Sequence, residues 1–166
     1  MPGVVVLGDL EAGEIASATD ELLAAGQILS SEMGQELAVV LLGQGIAGLA
    51  PHLTSRGADK VYLVEDALLA EPQVDAQVAA FEQACRQIEP TIILVAKTPV
   101  GSEIGPRLAF RLGVGVAQDC VALSVNPSTL RVVATRPVYG GNAMAVITFP
   151  ETDPQVVVVR PKGYES

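Results

Sequence analysis

The chain has 166 residues, is 49% hydrophobic and 17% charged, and carries a formal net charge of −9. That is the length of one domain, with apolar content enough for a substantial core and a composition that disfavours disorder. The acidic balance without a lysine or arginine cluster argues against nucleic acid or an anionic membrane surface as partners, and so little charge mildly favours a subunit over a free monomer.

Residues 4–7 form a continuous apolar run closing at Gly8-Asp9, the pattern of a strand buried on both faces. A helix follows, with Ser17 or Thr19 as cap, Leu22, Ala25 and Leu29 on one face, and Gly34 at its end. Residues 37–42 read as a second buried strand closed by Gly43. The third unit is short, a helix over residues 46–55 and, after Gly57, a strand over 61–64. Val74, Val78, Phe81, Cys85 and Ile88 then step along one helical face, which Pro90 stops. On that face Cys85 reads as a small core residue rather than a reactive thiol. Residues 92–96 are the fourth buried strand. Ile104, Leu108 and Leu112 line a further helix, with Ser102 able to cap its start, Pro106 in or near the first turn, and Gly113 at its end. Strand and helix in alternation imply parallel strands with helices on both faces.

After Gly115 the pattern changes. Residues 121–125, 130–135, 144–149 and 156–159 are strand-like runs with no helical period between them, and Asn126-Pro127-Ser128 reads as a turn. The expected fold is α/β, a parallel sheet extended by antiparallel strands at its C-terminal end. Residues 1–160 are read as the domain and 161–166 as the start of a linker or tail, and no internal repeat is visible.

Cys85 and Cys120 form no CxxC pair, which reads as reduced thiols in a cytoplasmic protein. His52 is the only histidine, leaving almost no material for a Cys/His zinc site or a Ser-His-Asp arrangement. Neither a metal nor a catalytic residue is expected. No apolar stretch is long enough to span a bilayer, and the N-terminus runs into its first strand without a basic stretch or cleavage site.

Gly43-Gln44-Gly45-Ile46-Ala47-Gly48 is a literal GxGxxG, with Glu65 and Asp66 at the end of the next strand. The dinucleotide fingerprint normally follows the first strand, where strand order reverses, whereas this one follows the second. A tight strand-to-helix turn is therefore the preferred reading, and no acid, base or substrate domain accompanies it to make an NAD-dependent enzyme. The crevice should lie between the loops after the first and fourth strands, where Gly8, Asp9, Lys97, Thr98 and Ser102 meet. Lys97, the two hydroxyls and the helix N-terminus suit a phosphate, while Asp9, Glu11 and Glu103 oppose one.

Arg136-Pro137-Val138-Tyr139-Gly140-Gly141-Asn142-Ala143 links two apolar runs. Gly140 and Gly141 allow positive φ, and Pro137 should end strand pairing where it stands. A bare hairpin needs no guanidinium, phenol and carboxamide at its end. This octapeptide, with Gly105-Pro-Arg-Leu-Ala-Phe-Arg-Leu-Gly113, Gly57-Ala-Asp-Lys-Val61 and the closing Val156-Val-Val-Val-Arg-Pro161, resembles the N-terminal domain of the electron transfer flavoprotein alpha subunit over residues 3–162.

The resemblance implies a three-layer, Rossmann-like fold of the adenine-nucleotide-alpha-hydrolase type, related to universal stress proteins. It implies pairing with a beta subunit, FAD held mainly by a C-terminal domain of alpha that is expected to be absent here, and AMP or a second FAD in beta. This domain would then be a scaffold without its own cofactor or catalysis. It would support an FAD domain in electron transfer from dehydrogenases to an acceptor, with Arg136, Tyr139, Gly140 and Asn142 facing the partner or the flavin domain. An apolar surface normally covered by beta also allows a homodimer of the isolated domain. Two positions depart from the family pattern: Ser102 stands where an arginine is common, and Gln118 where a small hydroxyl residue is expected before Asp119. The alternative is a stand-alone AMP- or ATP-binding module of the universal-stress-protein type, using Gly8, Asp9, Lys97, Thr98 and Ser102.

Overall fold

Uninterrupted aliphatic runs are satisfied by strands covered on both faces, and four of them set the frame of this molecule. In a computed structural model that describes residues 2–161, the elements in chain order are β1 (Pro2–Leu7), the two-residue strands β2 (Leu10–Glu11) and β3 (Glu14–Ile15), α1 (Ser17–Met33), β4 (Glu36–Gly43), α2 (Ala50–Ser55), β5 (Lys60–Glu65), α3 (Val74–Ile88), β6 (Ile92–Ala96), α4 (Gly101–Leu112), β7 (Val116–Cys120), β8 (Ala122–Val125), β9 (Val132–Val138), β10 (Ala143–Thr148) and β11 (Gln155–Val159). Six of these strands form a parallel sheet in the order β5-β4-β1-β6-β11-β7.

Alternation along each strand divides the core in two. Val4 and Val6 of β1 face the α1 side with Leu22, Leu29 and Leu53, while Val5 and Leu7 face Phe81, Cys85, Ile104 and Leu108 from α3 and α4. The period over Val74, Val78, Phe81, Cys85 and Ile88 thus marks a buried face, and Cys85 is a core residue whose thiol burial pushes up to about 12. The parallel α/β class and its three layers are as expected. The sheet is continued differently, however. β8, β9 and β10 form a separate antiparallel sheet, reached from the β7 edge through Val121, and it packs Val132 and Ala134 onto the α1 side. The last apolar run, β11, does not join that sheet but returns between β6 and β7.

Buried Gln155 ties the two sheets together: its Oε1 accepts from the Val132 N–H (2.8 Å) and its Nε2 donates to the Thr91 carbonyl (3.4 Å). Strand pairing does not stop at Pro137, which sits opposite Met144. Thr135 O accepts from the Val121 N–H, so Thr135 and, two residues on, Pro137 face the β8 side. The ladder with β8 ends at Thr135, and the missing donor of Pro137 has no partner to lose. The expected linker start at 161–166 lies, beyond Pro161, outside the described residues.

Candidate functional site

Strand order reverses between β1 and β6, and the loops after these two strands flank a cavity of about 470 Å³. Gly8, Asp9, Gln77 and Val100 line it, and the turn from Gly43 to Ile46 forms its opposite wall. Thr19 fixes the first loop. Its hydroxyl accepts from the Asp9 N–H (2.8 Å) and donates to the Asp9 carbonyl (3.1 Å), so this fully buried threonine anchors the loop and does not cap α1. Ser17 does not cap it either, since no side chain caps that helix.

Thr98 fixes the second loop. Its hydroxyl accepts from the Gly101 N–H (3.0 Å) at the start of α4 and donates to Asp9 Oδ2 (3.4 Å). Burial strips water from the Asp9 carboxyl and pushes it up to about 6, and the one long bond from Thr98 only partly offsets this. Ser102 lies inside the first turn of α4 with its N–H donated to the Thr98 carbonyl (2.9 Å), so Thr98 rather than Ser102 closes the helix start. Pro106 likewise lies further in than the first turn.

Of the five crevice residues, Gly8, Asp9 and Thr98 come together. Lys97 turns away and donates to Asp119 Oδ1 (3.0 Å). Among the described residues lining the cavity, Asp9 and Glu71 are charged and no lysine or arginine is present. Such a lining does not fit the pyrophosphate of a dinucleotide such as FAD. The GxGxxG is used by its own turn: Gly45 takes φ 70° and the Ile46 N–H donates to Glu65 Oε1 (2.8 Å). The carboxylate that would meet a ribose is thus committed to the backbone.

A second cavity, also about 470 Å³, lies at the β9–β10 tip, lined by Asp119, Arg136, Tyr139, Gly140 and Arg160 among others. Tyr139, Gly140 and Gly141 take positive φ of 51°, 65° and 91° in succession, and the Asn142 N–H closes the turn on the Tyr139 carbonyl (3.2 Å). This conformation turns the Tyr139 ring out, 84% exposed. Along β10, Met144 and Val146 also face outward, 52% and 65% exposed, on the same side of the strand. Arg136 is half-buried, and its Nε is buried with no hydrogen-bond partner.

Beside it, Asp119 holds Arg160 through two bonds (2.8 and 2.6 Å) as well as Lys97. The Arg160 guanidinium, with Lys97, draws the Asp119 carboxyl down to about 2. Three of the four hairpin residues singled out in the sequence, Arg136, Tyr139 and Gly140, therefore share one cavity, and exposed Asn142 follows at the end of the turn. The Lys97–Asp119–Arg160 cluster was not visible in the sequence, because its members are 22 and 41 positions apart. Among the described residues no group of three His, Cys, Asp or Glu side chains could hold a metal, and no helix is long and apolar enough to cross a membrane.

Known proteins resemble this chain over nearly all its length. The family described as electron transfer flavoprotein domain matches residues 4–166. The electron transfer flavoprotein subunit alpha of Clostridium acetobutylicum is 34% identical over 163 residues, covering 98% of this chain and 48% of that protein. That of Bacillus subtilis is 32% identical over 164 residues, covering 98% and 49%. A lactate dehydrogenase (NAD(+),ferredoxin) subunit, LctC, of Acetobacterium woodii is 32% identical over 162 residues, covering 98% and 38%. The chain thus spans about half the length, or less, of these curated relatives. The parallel sheet, the turn at Gly43 and the family match agree: the chain belongs to the electron transfer flavoprotein domain family.

Proposed function

We propose that this chain is the scaffold domain of an electron transfer flavoprotein alpha subunit, which pairs with a beta-type subunit and supports an FAD domain in electron transfer. In this reading it is a cytoplasmic electron-transfer component, not a catalyst, and FAD is held outside the crevice of this domain. The observation that carries the reading is the outward-facing hairpin. Tyr139, Met144 and Val146 present apolar surface to solvent beside Arg136, Gly140 and Asn142. Exposed aromatic and aliphatic groups next to an arginine are the composition of an interface centre. The relatives support the same reading, since several carry the name electron transfer flavoprotein subunit alpha.

The test is co-purification with a beta-type subunit. The double variant Arg136→Ala, Tyr139→Ala is expected to weaken heterodimer formation at least tenfold while leaving the melting temperature nearly unchanged. Undiminished pairing of the double variant would remove the interface assignment.

A second reading, an AMP- or ATP-binding module, draws on the crevice. Asp9 and the buried, unpartnered Gln77 Oε1 there offer acceptors to the N–H groups of a base. Calorimetric titration with AMP and ATP that stays silent at high protein concentration would sink it.

A further inference from the structure

The described residues include one lysine or arginine without an ion pair, and it is Arg136. Every other one lies within 4 Å of a carboxylate: Arg56 with Asp20, Lys60 with Glu36, Arg86 and Arg111 with Glu82, Arg107 with Asp75, Arg131 with Asp153, and Lys97 and Arg160 with Asp119. In a chain of net charge −9, leaving one guanidinium unpaired while its Nε is buried requires a local reason. The neighbourhood sharpens the point. Arg136 and Arg160 line the same cavity, and Asp119, the one carboxylate among its described lining residues, already serves Lys97 and Arg160 together. Two arginines against one carboxylate leave a net positive charge on the described lining, in a protein that is acidic elsewhere, and Lys97 adds a further cation on the far side of Asp119.

We infer that the cavity beneath the β9–β10 turn is a receptor for a phosphoryl oxyanion, held between Arg136 and Arg160. A phosphoryl group offers three strong acceptor oxygens to the two guanidinium groups, where a carboxylate offers two. A guanidinium offers paired N–H donors suited to phosphate oxygens, and Arg136 has its donors uncommitted. The glycines of the turn let a tetrahedral anion approach the backbone without meeting a side chain, since a Cβ at Gly140 or Gly141 would meet no atom within 4 Å. This inference goes beyond the docking proposal and does not rest on it, because the anion is tested on the chain alone.

The phosphoryl group can belong to a free phosphomonoester or to a dinucleotide, and calorimetric titration of the 166-residue chain with glycerol 3-phosphate, FAD and acetate separates these. At least one phosphoryl ligand is expected to bind at least tenfold more tightly than acetate. Arg136→Gln should weaken that binding about tenfold. It breaks no ion pair, so the fold should survive, as a melting curve will verify. Arg107→Gln, which removes a cation paired with exposed Asp75, should leave affinity unchanged. Glycerol 3-phosphate should also bind more tightly as its second proton leaves near pH ~6. Binding by glycerol 3-phosphate identifies a phosphomonoester site, and binding by FAD alone a dinucleotide one. Silence from both, equal binding of acetate, or full affinity in Arg136→Gln overturns the inference.

Discussion

Replacing Asp9 by asparagine should stabilise the protein at neutral pH and do nothing at low pH. In the fold the carboxyl is pushed up from 3.8 to about 6 by burial. For an acid raised in this way, the folded state binds its proton more tightly than the unfolded chain does. Stability is therefore full below about pH 4, declines as pH rises from about 4 to about 6, and stays at the lower value above. A rise of about two pH units corresponds to about 3 kcal/mol. Residual contact of the carboxylate with water reduces this to about 2 kcal/mol. Asparagine removes the charge and keeps an oxygen that can accept from Thr98 Oγ1, which donates to Asp9 Oδ2 at 3.4 Å. The assay is urea unfolding of both proteins between pH 4 and 8. Other titrating groups cancel in the difference, which should be near zero at pH 4 and grow to about 2 kcal/mol by pH 8 in favour of Asp9→Asn. Parallel curves, or a variant less stable at pH 8, would mean that the ionised carboxylate is well satisfied, and the account of the crevice as uncompensated would fail.

Two further predictions concern the loops around both cavities, beside the hairpin double variant. Gly101→Ala should cost on the order of 3 kcal/mol, because its Cβ would lie 2.0 Å from the Ala96 carbonyl oxygen, a backbone atom that cannot yield. Gly48→Ala, which meets nothing within 4 Å, should shift the urea midpoint little, and equal effects at the two sites would refute the steric argument. Asp119 should titrate at about 2, so its contribution to stability is present above the ordinary 3.8 and lost as pH falls through about 2. Arg160→Gln should move that midpoint back toward 3.8 in a carboxyl-carbon NMR titration, and an unmoved midpoint would show that Arg160 is not its cause.

What could be read in advance follows a physical division between local and non-local causes. The α3 face was legible because burial repeats with the helix period, and the crevice because strand–helix alternation fixes where strand order reverses. β7 was missed for the same local reason: Gln118 and Asp119 interrupt its apolar pattern, since an edge strand need not be covered throughout. β11 reads as a strand in the sequence, but its place between β6 and β7 is set by pairing with distant segments. Its continuous run of valines, buried throughout, marks a strand covered on both faces, as in the parallel sheet, whereas β10 shows the alternation of a sheet with one face open.

The direction of Lys97 illustrates the harder limit. Sequence places it after β6, at the mouth of the crevice, but the next strand in space is β11 and then β7, both formed later in the chain. Asp119 takes φ 57° at the end of β7, and the Asp119 carboxylate then meets both Lys97 and Arg160. A cation that could have served a phosphate in the crevice is thereby moved to the hairpin side. Lys97 is thus held with Asp119 and Arg160, on the side of Arg136, and not in the crevice between β1 and β6. The same domain whose crevice has no cation among its described lining residues presents two arginines in a cavity next to the exposed aromatic side chain of Tyr139.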